Sequence, residues 1–343
     1  MAVELGGSVA NDITQYSDKY FVRAGEILIA DGKDPKVLMQ VFCRARGLLC
    51  GVDETLSLLR TVDADLTIYG LSDGDPIAPW ETVLTIEGSY AAFAHLETLY
   101  LGVLARGTRV ATQTQAIVAA ANGKPVLFFG ARHDHYASQE ADGYAALVAG
   151  ASGVATDAQG SRKSLAGIGT VPHALIAAYG GDTVLASQKF VEFMPSDVPF
   201  IALVDFDNDC VNTSLAVAEA LGDRLSGVRL DTSSNLIDVS LQDDPSAQRG
   251  VNPSLVQNVR EALDANGYRY VDIVVSGGLT AERLRLFEDS SAAVDAYGVG
   301  SSILRNTGEF DFTADIVRVD GKAVSKVGRE LQSNDRLKLR ALN

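Results

Sequence analysis

From residue 125 onward, short and nearly continuous apolar runs return at intervals of about 15 to 45 residues with helical segments between them. They read VLFFG at 126–130, GVAT at 153–156, TVLA at 183–186, FIALVDF at 200–206, GVRLD at 227–231, DIVVSGG at 272–278 and AYGVGSS at 296–302. Strands apolar on both faces and separated by helices predict a parallel sheet covered on both sides, and its closure gives a β/α barrel. The carboxyl ends of barrel strands converge on one mouth. Several of these runs end in groups that chemistry uses: Arg132 and His133 after the first, Asp205 and Asp207 at the fourth, Arg229 and Asp231 at the fifth. The last two runs end in SGGLT and GVGSS, whose small residues allow backbone N–H groups to approach a phosphate. Loops after the last strands are where such barrels bind one.

Composition narrows the field of ligands. With 343 residues, 47% hydrophobic and 21% charged, the chain is long enough for one large domain with an appendage or for two domains. A net charge of −15 argues against nucleic acid, and an anionic small molecule would have to be held by local cations against that field. No run reaches the roughly 18 to 20 apolar residues of a membrane span. The start, MAVELGGSVANDITQYSD, has no basic and apolar leader pattern, so the expected compartment is the cytoplasm. Cys43, Cys50 and Cys210 form neither a CxxC pair nor an even set, which excludes a disulfide framework and a cysteine-rich zinc site.

The first hundred residues read as a smaller α+β unit. VLMQVFCRA, ADLTIYG and VLTIEG are strand-like, a helix opens near Asp53 or Thr55, and DKYFVRAGEILI at 18–29 fits either period. The stretch 89–124 suggests two helices broken at Arg106 and Gly107, with His95 structural. Within the barrel, GIGTVPH at 167–173 stands out. Glycines permit close backbone approach, Thr170 offers a hydroxyl, and Pro172 stiffens the chain before His173, one of four histidines.

Together the segments DKYF at 18, HLETLYLGVLARGT at 95, FGARHDH at 129, GTVPHALI at 169, GVRLDT at 227 and DFTADIVRVDGKAVSKVGR at 311 resemble the nicotinate phosphoribosyltransferase family, which is related to the nicotinamide and quinolinate enzymes. The likeness is to the short archaeal and bacterial type and covers nearly the whole chain. It implies an irregular TIM-like β/α barrel of parallel strands at 106–305. An N-terminal α+β domain of open-faced sandwich type at 1–105 would be completed by the segment 306–343. One departure is Phe206, where the family has threonine after its aspartate.

The resemblance also implies chemistry. Nicotinate would attack phosphoribosyl pyrophosphate (PRPP) with Mg²⁺, releasing pyrophosphate and nicotinate mononucleotide, with ATP as co-substrate through a phosphohistidine. His173 is then the phosphoryl acceptor with Asp205 its orienting carboxylate, Arg229 binds near the substrate ring and phosphate, and Asp231 holds ribose hydroxyls. Arg132, His133 and Thr170 are implied substrate contacts, and Ser152 falls where the nicotinamide relative has an aspartate. Ser276, Gly277, Gly278, Gly298 and Gly300 would cradle the 5′-phosphate, and Asp205 and Asp207 are candidate metal ligands. The strand ends offer no obvious aromatic face for a pyridine ring. The family implies one from Tyr20 of a partner chain, hence a homodimer or larger homo-oligomer with shared sites. Two other readings stay open: a decarboxylating quinolinate enzyme, and a catalytically silent sugar-phosphate or nucleotide-binding protein.

Overall fold

A computed structural model describes residues 13–169 and 171–341, and Thr170 therefore lies outside the described residues. The chain divides into two compact units, one reaching to Ala111 and resumed from Thr307, the other spanning Thr112–Asn306.

In the first unit the strands are β1 (Lys36–Cys43), β2 (Gly47–Leu48), β3 (Thr67–Gly70), β4 (Pro76–Ile77) and β5 (Thr82–Ser89). The second contributes β6 (Val126–Phe128), β7 (Gly153–Val154), β8 (Phe200–Leu203), β9 (Leu225–Leu230), β10 (Asp272–Val275) and β11 (Ala296–Val299). The chain then returns to the first as β12 (Phe312–Val319), β13 (Lys322–Ala323) and β14 (Lys338–Arg340).

The first unit is built on an antiparallel sheet in the order β13-β12-β1-β5-β3-β14, so the C-terminal segment supplies both edges. Its core gathers Val37, Met39 and Val41 from β1 with Ile68, Leu84, Ile86, Phe93 and Tyr100. The ambiguous stretch near residue 20 is a helix, Lys19–Ala30. The expected break at Arg106 and Gly107 does not occur: a single helix runs Glu97–Ala120. Gly107 serves close packing instead, because a Cβ there would lie 2.6 Å from the carbonyl oxygen of Cys50. The helix near residue 53 spans Val52–Leu59, and the Asp73 carboxylate accepts from the Val52 N–H at 2.7 Å at its start.

The second unit holds a curled parallel sheet in the order β7-β6-β11-β10-β9-β8. One expected strand is absent from it: TVLA is the first turn of a helix, Thr183–Phe193, whose Asp182 accepts from the Leu185 N–H at 2.8 Å. A run of four residues fits either period, and the cap decides. The sheet edges are irregular. Beyond β7, the Ile168 N–H donates to the Val154 carbonyl at 2.7 Å, so the segment leading to His173 runs beside that edge. No helix among the described residues is long and apolar enough to cross a membrane.

Candidate active site

The carboxyl ends of the parallel strands surround a cavity of about 520 Å³. Three groups of side chains give it character.

The first is a cationic floor. Arg229, on β9, is largely buried and lies with its guanidinium carbon 5.9 Å from the centre of the Phe129 ring. Its Nη1 donates to Ser276 Oγ at 3.3 Å and stands 3.8 Å from Asp231 Oδ2, while Ser276 Oγ donates to Asp231 Oδ1 at 2.7 Å. Arg229 Nε is buried without a hydrogen-bond partner. Burial pulls the Arg229 pKa below its ordinary value, opposed by Asp231 and Asp205. A buried donor left unpaired beside an open cavity is a costly arrangement that an anionic or carbonyl group entering the cavity would relieve.

The second is the pair of His173 and Asp205. His173 opens a short helix, His173–Ala178, directly after Pro172, and its Nε2 meets Asp205 Oδ1 at 3.0 Å. The pair thus joins the irregular edge beside β7 to the end of β8. Asp205 is nearly buried, and that burial raises its carboxyl pKa despite the opposing effect of His173. The aromatic Phe206 lies 6.3 Å from the imidazole, ring centre to ring centre.

The third is a glycine-lined wall. Gly277 and Gly278 both take positive φ, +95° and +63°, a turn that side-chain-bearing residues rarely adopt. Arg283 shapes it by donating from Nη1 to the Gly277 carbonyl at 3.3 Å and from Nη2 to the Val251 carbonyl at 2.7 Å. Gly300 is needed for close approach: a Cβ there would collide with the Phe129 carbonyl and lie 2.8 Å from His133 Cδ2.

Most of the residues singled out from sequence meet here. Arg132, His133, His173, Arg229, Asp231, Ser276, Gly277, Gly278, Gly298 and Gly300 all line the cavity, and Asp205 stands behind His173. Ser152 does not: it precedes β7 at the amino end of the strand and is exposed, whereas Ala155 and Thr156 face the cavity from the carboxyl end. Asp207 is exposed and outside the lining. No group of three or more His, Cys, Asp or Glu among the described residues is placed to hold a metal ion. Tyr20 belongs to the first unit, 62% exposed, with its hydroxyl 3.3 Å from Asp18 Oδ2. The expectation of no aromatic face at the mouth is corrected by Phe129, which lines it. The doubled Phe at the end of VLFFG carried that signal, since only alternate strand residues can pack into the sheet.

Fold and site together define a two-unit α/β protein with a glycine-walled, arginine-bearing cavity at the carboxyl ends of a curled parallel half-barrel sheet. Residues 18–108 match the N-terminal domain of quinolinate phosphoribosyl transferase and residues 110–315 its C-terminal domain. The chain belongs to this phosphoribosyltransferase family. It is similar to nicotinate phosphoribosyltransferase pncB1 of Mycobacterium tuberculosis, 31% identical over 265 residues that cover 76% of this chain and 55% of that protein. The chain spans about half the length of the curated relatives it matches. Among solved structures, nicotinate-nucleotide pyrophosphorylase from Pyrococcus furiosus superposes with a TM-score of 0.81 at 35% identity, covering 97% of this chain and 82% of that one. Human nicotinic acid phosphoribosyltransferase shares the fold at a TM-score of 0.69 and 17% identity, over 92% of this chain and 77% of that one.

Proposed function

We propose that the chain is a nicotinate phosphoribosyltransferase of NAD biosynthesis, joining nicotinate to the ribosyl carbon of PRPP with loss of pyrophosphate. The observation that carries this reading is Arg229, buried, with one donor unpaired, over Phe129 and tied through Ser276 to Asp231. A flat ring bearing one carboxylate suits that corner: Phe129 offers an apolar face and Arg229 a planar fork. The pyridine nitrogen carries its own lone pair, so the reaction asks for positioning and charge stabilisation rather than a strong base. In this reading Asp231 accepts from ribose hydroxyls and the wall from Gly277 to Gly300 receives the 5′-phosphate, supported by their shared place in the cavity lining.

Asp231 on the cavity lining and Asp205 beside His173 are the carboxylates that would hold Mg²⁺ together with the substrate's phosphates. Mg²⁺ commonly takes one or two carboxylates together with substrate phosphates. Bound there, it would neutralise charge on the departing pyrophosphate.

His173 is the proposed acceptor of the ATP γ-phosphoryl group. With Nε2 donating its proton to Asp205, Nδ1 would keep the lone pair that attacks the γ-phosphorus, and ADP leaves as the bond to its β-phosphate oxygen breaks. Asp205 then supports the imidazolium-like charge formed on transfer.

A quinolinate enzyme is the second reading, favoured by the matching family models. Against it, Arg132 and Arg229 are the arginines of the lining and lysine is missing from it, a sparse set for a dicarboxylate. The proposal extends to a homo-oligomer in which Tyr20, exposed on the helix Lys19–Ala30, completes a partner's site. Pyrophosphate release on mixing purified protein, PRPP, Mg²⁺ and nicotinate tests the central reading. Release that ignores nicotinate would overturn it.

A further inference from the structure

The glycine wall that receives phosphate in the proposed reaction is poor in permanent charge. Arg283, the nearest guanidinium to Gly277, is occupied by two backbone carbonyls. Arg229 is assigned in the proposed reaction to the carboxylate of the ring, and Arg132, which also lines the cavity, is the neighbour of His133 in the chain. In a chain with a net charge of −15, a phosphate dianion at this wall needs a cation from somewhere.

His133 is in the right place to supply one. Its backbone N–H donates to the Gly130 carbonyl at 3.0 Å, fixing the turn after β6. That turn lays the imidazole edge against Gly300, so that a Cβ on Gly300 would stand 2.9 Å from His133 Nε2. The ring therefore lines the cavity beside the glycine backbone, with Nε2 at the wall itself.

We propose that His133 is a proton-coupled cation of the phosphate wall, neutral when the site is empty and protonated when a phosphoribosyl ligand is bound. The inference rests on the phosphoribosyl reading above and adds to it a proton taken up with the ligand.

The charges around the ring support this direction. On its own loop are Arg132, Asp134, whose carboxylate accepts from the His135 N–H at 2.7 Å, and His135. From other elements the cavity is faced by Arg229, Asp231 and His173 with its partner Asp205. Partial burial and then Arg132 hold the His133 pKa below its ordinary value, so the empty site keeps it neutral near pH 7. A dianion at the wall acts in the opposite sense and with greater charge, which raises the pKa of an imidazole beside it. Net proton uptake on ligand binding follows.

With four histidines in the chain, imidazole resonances can be followed individually by NMR. His133→Gln assigns the resonance of interest. The intact protein is titrated between pH 5.5 and 9 alone, with ribose, and with ribose 5-phosphate. The expected result is a rise of about one pKa unit or more at His133 with ribose 5-phosphate and none with ribose. Calorimetry in buffers of different ionisation enthalpy should show matching proton uptake, lost in His133→Gln and kept in His173→Gln. If ribose 5-phosphate binds and PRPP is turned over while His133 titrates unchanged, this inference falls and the phosphoribosyl reading stands. If the shift appears at His173 instead, the assignment to His133 is wrong. If neither ribose 5-phosphate nor PRPP binds, both fall together.

Discussion

Arg229→Lys keeps a positive charge at the end of β9 and removes the planar fork. In the structure Arg229 makes one hydrogen bond, from Nη1 to Ser276 Oγ at 3.3 Å, lies 3.8 Å from Asp231, covers Phe129 and holds Nε unpaired and buried. A lysine ammonium reaches one partner as a point charge and cannot satisfy a carboxylate at two atoms while lying flat on the ring. The expected loss is one charge-assisted hydrogen bond in a site whose side chain is only 13% exposed, so solvent screening does not dilute it. Such a bond contributes about 1.5 to 3 kcal/mol, a decrease of roughly 10- to 150-fold in kcat/KM. Steady-state kinetics with nicotinate and PRPP varied in turn, alongside a thermal unfolding midpoint, provides the test. A kcat/KM within about twofold of the native value for both substrates, with the fold intact, would remove Arg229 from the site and the carboxylate corner with it.

Other outcomes follow from the same structure. His173→Asn should keep the fold and basal synthesis while losing ATP stimulation and acid-labile phosphate incorporation; radiolabel from ATP persisting on the variant refutes the acceptor role. Glu97, buried at the start of the helix Glu97–Ala120, is pushed up from 4.5 to about 8 by burial and then by Asp315. Because the folded protein holds this proton more tightly than the unfolded chain, stability is fully present below pH 4.5 as far as Glu97 is concerned, and falls as pH rises toward 8. Glu97→Gln should flatten that fall and raise the unfolding free energy more at pH 8 than at pH 5, by an amount on the order of a few kcal/mol; equal effects at both pH values would contradict it. For the shared-site proposal, Tyr20→Ala and Arg229→Ala, each nearly inactive alone, should recover about a quarter of native activity when mixed and reassembled as dimers. No recovery despite demonstrated subunit exchange would place each site within one chain.

How far the sequence foretold the site depends on how local each signal was. Arg132, Arg229, Asp231 and the glycines of SGGLT and GVGSS were legible because each ends an apolar run, and parallel strands deliver such ends to one mouth. His173 drew notice from its stiff Gly and Pro setting together with the charged strand ends, and the structure brings its Nε2 to 3.0 Å from Asp205, 32 residues away. The failures came where a short run had two meanings. TVLA has the apolarity of a strand and the Asp182 cap of a helix, and the cap prevails. Gly107 resembles a helix stop, yet its reason is the carbonyl of Cys50, which periodicity cannot see. Ser152, carried over by likeness, lies on the amino side of β7 and outside the cavity lining, and a two-residue strand leaves little pattern from which to foresee that. Phe129 escaped notice since a strand-end phenylalanine reads as core until the strand's last inward residue is known.

In the proposed function the corner made by Arg229 and Phe129 selects a pyridine ring with one carboxylate for phosphoribosyl transfer. The most direct measurement is a competition: nicotinate, quinolinate and nicotinamide at equal concentration with limiting PRPP and Mg²⁺, with and without ATP, and products identified by mass. The expected products are nicotinate mononucleotide and pyrophosphate in equal amount, formed from intact nicotinate and without release of carbon dioxide. Nicotinate mononucleotide formed from quinolinate with stoichiometric carbon dioxide, or nicotinamide mononucleotide as the main product, would contradict it.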